Sequence, residues 1–229
     1  MGWKAKMIGY DLEVFTDIRN DSIVIGITLC HYNPEIRHKD AVLSKRNRIE
    51  CSLTTLNSAI AYCMCRAAHI EPGNIVLDPM VGSGIIPIEG SLSHPKAHFI
   101  ASDISEEELK IAQKNIQNIK ELHVTIAQAS VTKLPFPSHS IDRIISDLPF
   151  GRRHLNATKN QSLYPKMLSE FTRITKPSSR IVLLTLERGL MKKLLPQHPS
   201  LLLLHHCTID VGGLDAELYI LQHSPTNPT

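Results

Sequence analysis

At 229 residues the chain is long enough to bury a hydrophobic core without disulfides or metals, as one large domain or a domain with an extension. Hydrophobic residues make up 42% and charged residues 21%, which excludes extensive disorder, and the longest apolar runs, 181–184 and 201–204, are far too short for a membrane-spanning helix. A net charge of +3 does not argue for a nucleic-acid partner by itself, and five scattered cysteines without a CxxC pair read as reduced thiols or small core residues of an intracellular protein.

In chain order, residues 1–50 read as a lead-in segment: no signal peptide, one strand-like piece from Ser22 to Cys30, then a charged stretch holding Arg37, Lys39, Lys45, Arg46 and Arg48. From residue 51, helical and strand periods alternate. Leu53, Leu56, Ile60, Cys63, Met64 and Ala67 recur at helical spacing and predict a helix ending before Pro72-Gly73, with Tyr62, Met64 and, farther on, Met167 as core residues. Ile75–Asp78 predicts a strand, Gly84–Leu92 a helix, and His98–Asp103 a strand. Ser105 and Glu108 form a capping box for a helix whose apolar stripe is Leu109, Ile111, Ala112, Ile116 and Ile119, with Glu106 to Glu108 favouring its dipole.

His123–Ala127 and Ile141–Asp147 predict strands, Leu163–Thr175 a helix, Arg180–Glu187 a strand and Gly189–Leu195 a short helix. Leu201–Asp210 and Ala216–Gln222 close the pattern as a hairpin turning at Gly212-Gly213, before a polar tail, 224–229. The domain 51–223 is therefore expected to be α/β, a doubly wound, mostly parallel sheet with a terminal antiparallel strand, binding ligands at the carboxyl ends of its strands.

Three short sequences fall at those ends. Leu77-Asp78-Pro79-Met80-Val81-Gly82-Ser83-Gly84 is a strand, a glycine turn and a helix start, where backbone approaches a ligand closely. The third glycine of a dinucleotide fingerprint is replaced by Pro87, and Asp78 would repel a pyrophosphate but suits an ammonium-bearing ligand such as S-adenosylmethionine. Asp103 ends the next strand, 19 residues after Gly84, where a carboxylate either accepts two ribose hydroxyls or caps the following helix; Ile104 is placed to cover an adenine face. Asp147-Leu148-Pro149-Phe150 ends an apolar strand and resembles the loop of methyltransferases acting on exocyclic amines. There the Asp147 carboxylate and Leu148 carbonyl would accept the two hydrogens of a planar amine while Phe150 stacks on the base.

Taken together, LDPMVGSG, ASDIS, LPFPSHSIDRIISDLPFG and SLYPKMLSEFTRITKPSSRIVLLT resemble the catalytic domain of the THUMP-domain-containing RNA guanine-N2 methyltransferases, over roughly residues 50–222 and more loosely 9–29. The resemblance implies a Rossmann-like class I methyltransferase fold with a seven-stranded sheet and S-adenosylmethionine as donor. It implies methylation of a guanosine 2-amino group in tRNA or U6 small nuclear RNA, a small zinc-binding activator subunit as partner, and, through the U6-acting branch, a nuclear location. Carried over by position, Asp78, Gly82, Ser83 and Gly84 hold the methionine part, Asp103 the ribose, Ser130 and Val131 the adenine edge, and Asp147 to Phe150 the target amine.

Two positions depart from the family pattern: Ala129-Ser130-Val131 lacks the usual acidic residue after the third parallel strand, and Asn57-Ser58-Ala59 replaces the usual start of the preceding helix. A THUMP module has no counterpart before residue 50, so the lead-in is expected to be the remnant of its junction. Arg152, Arg153, His154, Lys159 and Lys166 follow the amine loop and are placed to neutralise RNA phosphates. The histidines form no metal-ligand spacing with the cysteines, so no metal is expected. His123–Ala127 is expected at the sheet edge, open to strand pairing by the activator. An amine methyltransferase for adenine or protein glutamine, and a non-catalytic methyltransferase-fold scaffold, are the alternatives.

Overall fold

The computed structural model describes residues 14–19, 22–27, 56–120, 122–149 and 157–224. The chain divides into two compact units, Met1–Ala41 and Val42–Thr229. In the first, β1 (Val14–Arg19) and β2 (Ser22–Ile27) form an antiparallel hairpin with Val14 opposite Ile27 and Arg19 opposite Ser22. Sequence reading anticipated the second strand and missed the first. The remainder of the predicted Ser22–Cys30 strand and the basic stretch 31–50 lie outside the described residues.

The second unit holds a seven-stranded sheet. Its strands are β3 (Ile75–Asp78), β4 (His98–Asp103), β5 (Val124–Gln128), β6 (Ile141–Asp147), β7 (Thr175–Thr185), β8 (Leu201–Asp210) and β9 (Asp215–His223), in the order β5-β4-β3-β6-β7-β9-β8. The first five run parallel to one another, while β9 runs antiparallel to both β7 and β8, as the terminal hairpin predicts. β5 lies at an outer edge, as the strand order implied by the family resemblance predicts.

Alternation along the central strands sends successive side chains to opposite faces. Ile144, Ile181 and Leu183 join a core with Tyr164, Met167, Leu168 and Phe171 of α4 (Ala157–Ile174) and Met191 and Leu194 of α5 (Arg188–Leu194). Their neighbours Ile145, Val182 and Leu184 join Ala61, Met64 and Cys65 of α1 (Ser58–Ala67) and Ile85 and Ile86 of α2 (Ile85–Ser93) on the other face. α3 (Glu106–Gln117) packs Leu109, Ala112 and Ile116 against Val81, Ile88 and Ala101. Among the described residues no helix is long and apolar enough to cross a membrane.

Three expectations need correction. In α1 the buried stripe is Ser58, Ala61, Met64 and Cys65, so Tyr62 is 42% exposed and not core, and Cys63 is exposed as well. The run IAYCMC is apolar on every side, and periodicity alone cannot choose its inner face. The choice is made at the helix end, where Arg143 donates to the carbonyls of Ala68 and His69 and Arg180 to that of Ala67. These cations satisfy the terminal carbonyls and the negative end of the helix dipole. α4 starts six residues before the predicted Leu163, because its polar first turns carry no apolar period. β7 starts five residues before Arg180, through Lys176-Pro177-Ser178-Ser179, which reads as a turn; the register irregularity between Ile141 and Arg143 and a left-handed Ser178 accommodate it. Asn115 on α3 is fully buried although polar.

Candidate active site at the carboxyl edge of the sheet

Asp78, Asp103 and Asp147 end β3, β4 and β6, side by side in the parallel sheet, so the three sequence motifs converge at one edge. Asp78 is 2% exposed; its Oδ1 accepts from the Met80 N–H at 3.3 Å and the Ser146 hydroxyl at 3.2 Å, and its Oδ2 is buried without a hydrogen-bond partner. Burial, reinforced by the neighbouring Asp103 and Asp147, pushes the Asp78 carboxyl well above its usual range. A cation is the ligand that relieves this arrangement.

The turn after Asp78 is built from backbone. Val81 N donates to Ser102 O at 2.9 Å, Gly84 N to Val81 O at 2.9 Å, and the buried Asn115 amide to Ser83 O at 2.8 Å. Gly82 and Gly84 have φ of +48° and +86°, and a Cβ on Gly84 would lie 3.3 Å from Ala112 Cα, so glycine is demanded there by conformation and by space. Ser83 is buried, its carbonyl taken by Asn115.

Asp103 accepts from Gly82 N at 3.2 Å through Oδ2 and from Ser105 N at 2.9 Å through Oδ1, while Ser105 itself caps α3 by accepting from Glu108 N. Each carboxylate oxygen retains a further lone pair. Ile104 beside it is 70% exposed, an apolar face open to a ligand. Ser130 spends its hydroxyl locally, 3.0 Å from that of Thr132, and Val131 buries its side chain in the core, 6% exposed.

Asp147 has a buried Oδ1 without a partner, and burial raises its carboxyl from the usual range to about 7. Leu148 donates its N–H to Leu184 O at 2.8 Å and buries its side chain, which fixes its peptide; among the described residues nothing donates to its carbonyl. The Pro149 carbonyl is held by Tyr164 Oη at 3.2 Å and Asn160 Nδ2 at 3.1 Å. Tyr164 and Asn160 are fully buried on α4; the tyrosine hydroxyl lies 2.8 Å from Thr185 Oγ1, and the Asn160 amide also donates to Glu187 Oε1 at 2.9 Å. Sequence reading missed all four supports, since nothing in a polar helix start marks an asparagine as an anchor.

Phe150, Arg152, Arg153 and His154 lie outside the described residues. Lys159 and Lys166 are exposed and line a cleft of about 260 Å³ with Thr132, Ser162 and Leu163. The LPFP segment is pinned to α4 by Glu170, which accepts from Leu134 N at 2.7 Å, and by Arg173, which donates to the carbonyls of Leu134 and Phe136. Among the described residues no cluster of three or more metal-ligating side chains occurs.

Residues 46–205 match the family model described as RMKL-like, methyltransferase domain. The chain is 33% identical to the tRNA (guanine(6)-N(2))-methyltransferase THUMP3 of Bos taurus, covering 97% of this chain and 45% of that protein. It is 34% identical to the U6 snRNA (guanine-N(2))-methyltransferase THUMPD2 of Bos taurus, covering 81% of this chain and 34% of that protein. Among solved structures, TrmN from Thermus thermophilus superposes with a TM-score of 0.71 at 26% identity, over 95% of this chain and 61% of that one. The fold is thus the Rossmann-like methyltransferase fold, and the chain spans less than half the length of the two curated relatives.

Proposed function

The chain belongs to the RMKL-like methyltransferase family and is a relative of its THUMP branch, and on that footing we propose that it is an S-adenosylmethionine-dependent RNA methyltransferase acting on the exocyclic N2 amine of a guanosine, in tRNA or U6 small nuclear RNA. The observation that carries the reading is Asp147: a carboxylate with a buried, unpartnered oxygen, next to a peptide whose carbonyl faces no described donor.

The residues present fit the cofactor. Asp78 offers a buried, unpartnered oxygen to the ammonium group, the Gly82–Gly84 turn admits the methionine chain, and Asp103, oriented by two backbone N–H groups, keeps lone pairs for the ribose hydroxyls. Ile104 and the Ser130-Val131 backbone would bound the adenine. When bound, the cofactor supplies an electrophilic methyl group on sulfur. Asp147 and the Leu148 carbonyl accept the two amine hydrogens, fix the plane of the base and direct the nitrogen lone pair, so that positioning supplies most of the rate. Attack makes the amine nitrogen acidic, and the raised basicity of Asp147 suits it to take that proton. Phe150 would stack on the base, and Arg152, Arg153 and Lys159 would meet the phosphates.

A small zinc-binding activator pairing with the β5 edge, and a nuclear location through the U6 reading, belong to the same proposal. Calorimetric titration of the chain with S-adenosylmethionine, alone and with the activator, followed by mass spectrometry of treated RNA, tests it. Saturable binding weakened by Asp103→Ala, with N2-methylguanosine formed, is the expected result; a folded protein that binds no cofactor in either state would sink the enzyme reading.

A further inference from the structure

The amine loop accounts for a planar –NH2 but leaves its owner open, since guanine and adenine both carry one. Guanine differs at the adjacent ring nitrogen: its N1 carries a hydrogen beside the N2 amine, whereas adenine and 2-aminopurine present an N1 lone pair. A site that selects guanine needs an additional acceptor next to the pair that holds the amine.

Glu187 is a carboxylate linked to the amine loop through the Asn160 amide. It follows β7, whose Leu184 is in register with Asp147, and it is half-buried. Its side chain does no local work: it occupies the N-cap position of α5 yet makes no side-chain capping bond, while its N–H donates to Thr185 Oγ1. The carboxylate turns instead to the Asn160 amide, and the same Nδ2 holds Pro149 O, so one buried amide sets the spacing between Glu187 and the amine loop. The next residue, Arg188, pairs with Glu217 and not with Glu187, and among the described residues no cation forms an ion pair with Glu187. A carboxylate tied to the amine loop through Asn160, and paired with no cation among the described residues, favours a ligand edge made of donors.

We propose that Glu187 is the specificity-determining residue of the site, its carboxylate accepting the N1–H of the guanine whose amine is held by Asp147 and Leu148. This rests on the guanine-N2 reading above. Asn160 is then a positioning residue that aligns the third acceptor with the first two.

The test compares tRNA transcripts carrying guanosine or 2-aminopurine at position 6, and U6 transcripts substituted in the same way at their modified guanosine. The wild type is expected to favour guanosine by on the order of 100-fold in kcat/KM, because a carboxylate facing an N1 lone pair loses its hydrogen bond and gains repulsion. Glu187→Gln, whose amide can turn its NH2 toward N1, should narrow that preference to within about 5-fold. Glu187→Ala should narrow it too, with both bases poor. Differences in amine reactivity cancel, since each base is compared across enzymes. Equal losses on both bases, in variants that keep the wild-type Tm and cofactor affinity, would overturn the assignment of Glu187 alone. A wild type that binds cofactor but methylates neither base would take down the guanine reading and this assignment together.

Discussion

The two loops that meet at the sheet edge are built on opposite principles. The turn after β3 is shaped largely by its own backbone: left-handed glycines and a chain of main-chain hydrogen bonds, with two distant side chains, Asn115 and Asp103, closing it. The loop after β6 is shaped by side chains from elsewhere, with Tyr164 and Asn160 of α4 gripping the Pro149 carbonyl and Thr185 backing the tyrosine. The first presents a concave backbone surface suited to an invariant ligand. The second holds Asp147 and the Leu148 carbonyl in a geometry that, on the proposed reading, aims two acceptors at a reacting nitrogen, and it depends on side chains of α4 and β7.

The largest break in this contrast is Asp147→Ala, which should lower kcat by about 1,000-fold while leaving cofactor affinity unchanged in calorimetry. For the wild type, kcat is expected to rise with pH through about 7 as the carboxylate ionises, and Asp147→Asn should erase that limb. The stability sign runs the other way: a folded pKa raised above the unfolded value stabilises the fold at low pH, and the contribution is lost as pH rises through about 7. Thermal melts between pH 4 and 8 should show a smaller decline in Asp147→Asn.

On the other side, Gly84→Ala imposes both a left-handed alanine and contact with Ala112, which should cost about 1–3 kcal/mol in denaturant unfolding and weaken cofactor binding. Tyr164→Phe keeps the packing and removes one hydroxyl. A fall in kcat of about 10-fold at unchanged cofactor affinity, with stability lowered by about 1 kcal/mol, would show that the loop needs its clamp. Wild-type kcat would make the hydroxyl merely structural. The smallest effect on turnover is expected for Asn115→Ala, which should cost about 1–2 kcal/mol of stability with kcat near that of the wild type.

The same contrast explains what could be read from the chain. Asp78, Gly82, Gly84 and Asp103 were legible because the conformation they serve is local, written in consecutive residues at a strand end. β4 and β8 were legible to the residue, since their ends coincide with changes of period. Asp147 was legible as part of a motif. Asn160, Tyr164, Thr185 and Glu187 were not, because their meaning comes from a separation of 11 to 27 residues closed only by the packing of α4 on the sheet. Tyr62 failed for a related reason: an apolar run uniform in composition gains an inside only when Arg143 and Arg180 seize the end of its helix.

Asp78, deprived of water and left with one bare oxygen, holds a proton more tightly than an ordinary carboxyl. A ligand that brings its own positive charge to that oxygen competes with a proton for it. The measured heat of association should then follow the ionisation enthalpy of the buffer, and tighter binding should accompany alkalinity.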